Sequence, residues 1–383
     1  SPATAPDDSV VTGEGTNLSE SASVSDKAGN SQSASVNGLD IDRTDPNTAI
    51  SVPDPLPSGW YADTVPVTLN ATDGLSGVDA TYYSVDGGDP TLYAGVFDYA
   101  ARGSHTLHYW SVDRAGNVEA KNSKQLKIDD LPPTVDVATS PAPTKYGWNK
   151  TPVTAQFTCS DAESGVAACG PDTTFQNEGA NQSYTGTASD VAGNTSSKLV
   201  DGINIDMTKP SLVGQPTTDP NAAGWYHGDV VVHWLATDGL SGIDPDTVPA
   251  DSPVTGEGSN LTTGPVSVSD KAGNTQTTSV GGIKIDRTAP SLAASVPAPN
   301  AFGWYKSAVT VSYNCGDNLS GVASCPVPQL LDHDGAGQQV TSDNASDVAG
   351  NVAPGITTGG INIDGTAPES VATASCGAGN NWC

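Results

Sequence analysis

Methionine is nearly absent from this 383-residue chain, with one occurrence, and phenylalanine occurs four times. A single large apolar interior is therefore excluded, and several small ones fit the length better. Basic residues are scarce as well: 15 Lys+Arg stand against 43 Asp+Glu, a net charge of −28. That balance excludes nucleic acid, whose phosphates need clustered Lys and Arg, and it disfavours an anionic membrane surface. No apolar run approaches a membrane span, and no stretch shows a helical period with caps. Neither an initiating Met nor a leader stands at Ser1, so the chain reads as a processed or partial product. Charged residues reach only 15%. Polarity comes instead from Ser, Thr, Asn, Asp and Gly, which suit turns and β-edges.

What is present in quantity is repetition. Five times a strand-like run ends in Ile-Asp followed closely by proline, with the aspartates at Asp42, Asp129, Asp206, Asp286 and Asp364. Gly-Trp pairs at Trp60, Trp148, Trp225 and Trp304 each open an apolar alternating run. A turn follows each, starting at Asp73, Asp161, Asp238 and Asp317 and closing on Ser-Gly. An Asp-x-Ala-Gly-Asn turn comes later, at Asp26, Asp113, Asp190, Asp270 and Asp347. Signals recurring in fixed order at a step of about 80 residues define a tandem repeat.

Inside a repeat the periodicity is two. Val65-Pro-Val-Thr-Leu-Asn-Ala71 and Val309-Thr-Val-Ser-Tyr313 alternate apolar with polar, and His105 to Val112 reads as a half-buried strand. Short strands separated by Gly, Asn, Asp and Pro turns predict an all-β chain, a tandem array of immunoglobulin-like, fibronectin III-like β-sandwiches forming an extended rod. The linker prolines rigidify each junction. The boundaries read as a partial domain at 1–46 holding only a C-terminal half, complete domains at 47–131, 132–208, 209–288 and 289–366, and the start of a further domain at 367–383.

Six cysteines fall in three local pairs. Cys159 and Cys169 flank the Ser-Gly turn of one repeat, Cys315 and Cys325 take equivalent places in another, and the other two complete repeats have no cysteine there. A pair present or absent together behaves as a disulfide, which implies an oxidising, extracytoplasmic location. Cys376 with Cys383 is the third expected pair. Zinc is the competing reading, but the spacing is too wide for a zinc knuckle and no histidine lies nearby.

Catalysis needs a singular constellation, whereas these carboxylates recur at equivalent places, which favours a turn-forming role. Paired glycosidase carboxylates are the competing chemistry. The five histidines form no site: His105 and His108 face opposite sides of a strand, His227 and His233 are even-spaced with one in a turn, and His333 is alone. Nucleophile elbow, zinc-protease and phosphate-loop motifs are missing. The four Gly-Trp tryptophans admit sugar stacking, but recurrence at a strand entry favours core capping or packing across a domain junction. Asn-x-Ser/Thr triplets at Asn17, Asn70 and Asn260 carry little information in so Asn- and Thr-rich a chain.

Tyr83-Ser-Val-Asp-Gly-Gly88, followed by Gly103 through Asn117 with its Asp-Arg-Ala-Gly-Asn turn, resembles the Ig-like repeats of large secreted bacterial proteins. It is closest to the type named after a leptospiral outer-membrane protein, while the remaining repeats resemble generic bacterial Ig-like domains. The resemblance covers essentially the whole chain. It implies a cell-surface or appendage protein, extracellular and non-catalytic, acting as a stalk or fibre with self-association or other surface proteins as partners. Two rival readings stand beside it. One is an adhesin or carbohydrate-binding segment with a glycan ligand, for which the long 47–131 repeat, with Tyr82, Tyr83, Tyr93, Phe97 and Tyr99, is the place to look. The other is a spacer region of a larger secreted hydrolase. No cofactor is required, but Ca2+ is the strongest ligand candidate. If the loops of neighbouring domains converge, Asp42, Asp129, Asp206, Asp286 and Asp364 supply hard oxygen ligands at the junctions, as in cadherins. The competing reading is a set of Asx-turns in water.

Overall fold

The computed structural model describes residues 5–373. The described residues fold almost wholly into small antiparallel sheets, with one short 3-10 turn at Pro245–Thr247 and no α-helix. Contacts gather the chain into two bodies, residues through Ala142 with Pro152–Asn204, and Pro143–Thr151 with residues from Ile205 onward. No described helix is long and apolar enough to cross a membrane.

The first body opens with a hairpin of two long strands, Gly15–Ser25 and Ser31–Ile41. Beyond it, residues 47–131 form two facing sheets. Asn47–Ser51, Val65–Thr72 and Phe97–Tyr99 make one; Thr91–Leu92, Val78–Val85, Gly103–Asp113 and Asn122–Ile128 make the other. The alternation read in Val65–Thr72 is a burial alternation: Val65, Val67 and Leu69 point inward, joining Tyr99, Leu107, Tyr109, Leu126 and Ile128. Strand period and core face agree, which fixes register, because a slip of one residue would turn these side chains to water. Residues 134–204 repeat the plan. Thr134–Ser140, Val153–Ser160 and Thr173–Phe175 form one sheet, and Val166–Cys169, Gly179–Asp190 and Thr195–Ile205 the other. Phe157 fills this interior against Tyr184. The facing strand has to yield there, since a Cβ on Gly186 would lie 2.4 Å from the Phe157 ring.

In the second body, Ser211–Pro216, Val230–Thr237 and Ser252–Val254 form a sheet over Leu212, Val230, Val232, Trp234, Val268, Ile283 and Ile285. Trp234 is almost fully buried, and Gly214 makes room for it: a Cβ would stand 2.6 Å from its ring. The last complete repeat has a smaller interior, with Val309, Val311, Ile361 and Ile363 fully buried. Disulfides join Cys159 to Cys169 and Cys315 to Cys325. Cys376 and Cys383 lie outside the described residues.

One feature of the pairing ties two sequence motifs together. The segment after each Gly-Trp runs parallel to the strand that ends in Ile-Asp: Tyr61 beside Ile128, Asn149 beside Ile205, Tyr226 beside Ile285, Tyr305 beside Ile363. Asp129, Asp206, Asp286 and Asp364 then donate their amides to that segment, to the carbonyls of Tyr61, Asn149, Tyr226 and Tyr305, each at 2.9 Å. The Gly-Trp segment thus holds the exit of its own repeat.

Candidate cation sites where three motifs converge

Just past each exit the chain meets the turns of the next repeat. At Asp129 one carboxylate oxygen accepts the amide of Leu131 two residues on (3.1 Å) and the other accepts Ser164 from the following repeat (3.1 Å). Asp206 repeats this with Thr208 (3.1 Å) and Ser241 (2.9 Å), and Asp286 with Thr288 (3.1 Å) and Ser320 (3.0 Å). Asp42 does so with Thr44 (3.0 Å) and Ser76 (2.8 Å). The Asp-x-Ala-Gly-Asn turn closes from the other side. Asn117, Asn194, Asn274 and Asn351 each donate the side-chain amide twice, to the aspartate of their own turn and to the linker-aspartate carbonyl. Linker, Ser-Gly turn and Ala-Gly-Asn turn are therefore one network, built four times.

The network concentrates negative charge. Ligand-capable oxygens of Asp42, Asp73 and Asp113 lie within 4.8 Å of one another, as do those of Asp129, Asp161 and Glu163, of Asp206, Asp238 and Asp270, and of Asp286, Asp317 and Asp347. Asp129, Asp206 and Asp286 are completely buried, and Asp113, Asp270 and Asp347 nearly so. Burial pushes the Asp113 carboxyl up, but the side-chain and backbone amides of Asn117 outweigh it and hold the group below the ordinary range. The ion pairs among the described residues engage other acids, such as Asp130 with Arg102 and Asp229 with Arg287. Like charges at this separation repel, and at Asp113 the turn amides outweigh both burial and the nearby Asp42 charge.

The spacing of these oxygens is what a divalent cation requires. Calcium takes six to eight hard oxygens at about 2.4 Å, so carboxylate oxygens on opposite sides of the ion stand about 4.8 Å apart. The donor set is oxygen throughout. In the first cluster, Oδ1 of Asp73 is buried and receives no hydrogen bond, an acceptor left open toward a ligand. Asp42, Asp129, Asp206 and Asp286 each join one cluster, in company with the turn aspartates that the sequence reading had assigned to folding. Glu163 was missed: it lies inside a turn whose first residue carried the motif, and it takes the third place in a cluster that elsewhere goes to the Ala-Gly-Asn aspartate. Asp364 is exposed and joins no cluster among the described residues.

The remaining candidates lie outside these clusters. Tyr83, Tyr93, Phe97 and Tyr99 belong to the interior of residues 47–131, and Tyr82 stacks on Trp110, itself buried. Of the five aromatics read from the sequence, Tyr82, half-buried, is the one outside that interior. His105 bonds Asp86 (2.7 Å) and His233 bonds Asp251 (2.7 Å), each a separate surface pair.

No family model and no curated protein matches the chain. Among solved structures it is similar to the fibronectin(III)-like modules of Clostridium thermocellum CbhA, at 11% identity and TM-score 0.22, over 41% of this chain and 95% of that one. It is also similar to a 1.5-MDa bacterial ice-binding adhesin, at 12% identity and TM-score 0.26, over 64% and 99%. Protocadherin Gamma B2 extracellular cadherin domains 1–5 match at 11% identity and TM-score 0.32, over 94% and 88%. The fold class rests on the chain's own sheets: an all-β protein of small antiparallel, Ig-like β-sandwich repeats.

Proposed function

We propose that the chain is a non-catalytic, extracellular structural segment whose repeats, bounded near residues 46, 131, 208, 288 and 366, are stiffened at their junctions by calcium. The observation that carries this reading is the fourfold recurrence of a three-carboxylate cluster where a linker aspartate meets the turns of the next repeat. A reaction centre would be singular, whereas a device that recurs at four successive junctions serves them alike. Two disulfides in repeats with little apolar interior support an oxidising location outside the cytoplasm. The likeness of Tyr83–Gly88 and Gly103–Asn117 to repeats of the leptospiral outer-membrane type supports a bacterial cell surface or appendage as the setting, with stalk or adhesin shaft as the role.

Within a cluster the chain's own residues supply three carboxylates, hold two of them by turn amides, and orient the linker through the asparagine side chain. A bound cation would neutralise the mutual repulsion and tie linker to turns. Isothermal titration of the metal-stripped chain with Ca2+ tests this. The expected result is saturable binding at up to four sites that Mg2+ reproduces only weakly, because Mg2+ demands tighter octahedral geometry. Heat of dilution alone, with unchanged melting in chelator, would overturn the calcium reading.

A further inference from the structure

One sheet face in residues 47–131 differs from its counterparts in the other repeats. Across neighbouring strands the register sets Leu92 beside Tyr82 and Tyr82 beside Trp110. The Tyr82 ring stacks on Trp110 at 5.9 Å between centroids, and Lys121 Nζ stands 4.3 Å from the Trp110 centroid. With strands about 4.8 Å apart, this row of side chains runs about 14 Å across the sheet. It lies on the outer side, because Tyr83, Val85, Leu107 and Tyr109 turn to the interior. Where Trp110 stands, three residues before the Asp-x-Ala-Gly-Asn turn, the other repeats carry Ser23, Thr187, Ser267 and Asn344. An aromatic row on the side away from the core, present in one repeat and replaced by small polar residues in the rest, marks a contact surface.

The same side is basic and holds an unsatisfied hydroxyl. Ser84 lies opposite His108, and Ser104 opposite Lys127. Ser84 is 2% exposed, and its Oγ has no hydrogen-bond partner among the described residues, which leaves it a bond to give a ligand. No outward position from Ala80 to Ser84, Ser104 to Val112 or Ser123 to Lys127 carries a carboxylate. Neither Lys121 nor Lys127 forms an ion pair among the described residues. In a chain of 15 basic and 43 acidic residues, two such ammonium groups beside an aromatic pair are set for an anionic partner.

We propose that this face binds an acidic polysaccharide. A sugar ring lays its C–H face on Tyr82, Trp110 backs that ring and holds the Lys121 ammonium beside it, and carboxylates along the glycan meet Lys121 and Lys127. Stack and charge together select this class, since a neutral glycan leaves the lysines unmatched. A nucleic acid would also stack and pair, but its dense charge, one per about 1.7 Å of duplex, is repelled by a chain of net −28. The contact uses none of the carboxylate triads and so stands apart from any bound cation.

Affinity electrophoresis of the whole chain in chelator reads the binding, with polygalacturonate in the gel and its methyl ester, the same rings without charge, as the comparison. The expected result is retardation by polygalacturonate that the ester reproduces only weakly. Tyr82→Ala and Lys121→Gln should each weaken it at least about fivefold, whereas Tyr82→Phe, which keeps the ring, should bind as the unaltered chain does. Lys284→Gln removes the same charge beside another tryptophan, its Nζ 5.9 Å from the Trp225 centroid, and should change nothing. Unchanged melting of Lys121→Gln shows that a loss there is not a folding defect. No retardation, equal retardation by the ester, tighter binding of oligothymidylate, or a loss as large in Lys284→Gln would overturn the proposal.

Discussion

Residues 47–131 and residues 289–366 share one plan and hold it together by different means. In the last repeat Cys315 bridges to Cys325, tying the second strand to the segment after the Ser-Gly turn. The equivalent positions in the earlier repeat are Ala71 and Thr81. There Ala71 sits opposite Thr48 in the ladder, and a chain of hydroxyls takes over: Thr48 to Ser111 at 2.7 Å, Ser111 to Thr81 at 2.8 Å. The buried Glu119 anchors it, accepting the Thr48 hydroxyl and the amides of Thr48, Ser111 and Asn122. The difference follows interior size. The 47–131 interior buries nine side chains, three of them tyrosines, whereas four are fully buried in the last repeat. A covalent tie matters most where apolar burial is least.

The comparison can be broken at its strongest point first. Glu119→Ala orphans several buried donors at once and should cost residues 47–131 at least about 3 kcal/mol. Calorimetry should show that one transition falling while those of the disulfide-bonded repeats stay in place. Cys315→Ser/Cys325→Ser opens a short loop and should cost about 2–3 kcal/mol by chain entropy. Added reductant should reproduce this in both disulfide repeats and leave 47–131 and 209–288 unmoved; an equal loss everywhere would refute the division of labour. Gly214→Ala places a methyl against Trp234 and Val280 and should cost about 1–3 kcal/mol, readable as a drop in denaturation midpoint with loss of tryptophan signal.

The smallest effect is electrostatic. Hydrogen bonding to Asp86, reinforced by the Arg102 carbonyl, raises His105 above its ordinary 6.5. A raised histidine contributes stability that is fully present below the unfolded value and fades as pH rises through the folded one. His105→Gln should therefore flatten a slight decline in melting temperature above neutrality, and an NMR titration of His105 giving an ordinary or lower value would remove the effect.

Much of this architecture was legible in the residues, for identifiable reasons. The period of two in Val65–Ala71 and Val309–Tyr313 is dictated by the pleat, so it survives into the burial pattern without help from distant contacts. The Ile-Asp, Ser-Gly and Ala-Gly-Asn signals were readable because each is a local turn with its own hydrogen bonds. That they meet was only conditional in the sequence, since it depends on pairing between strands more than 60 residues apart, as Asn194 to the Asp129 carbonyl shows. The aromatic surplus of residues 47–131 suggested a binding face, but strand parity placed Tyr83 and Tyr109 on the inner side, opposite one another. Glu119 left no trace in the pattern: a lone glutamate after a turn looks solvated until Thr48 and Ser111 are brought to it.

The central claim is that the carboxylate triads hold cations rather than merely shape turns. An anomalous difference map from crystals grown with terbium in place of calcium tests it at the atoms themselves. The account predicts strong peaks inside the triads of Asp42, Asp129, Asp206 and Asp286, each bonded to all three carboxylates. Triads free of anomalous density, with their oxygens bound only to turn amides and water, would contradict it.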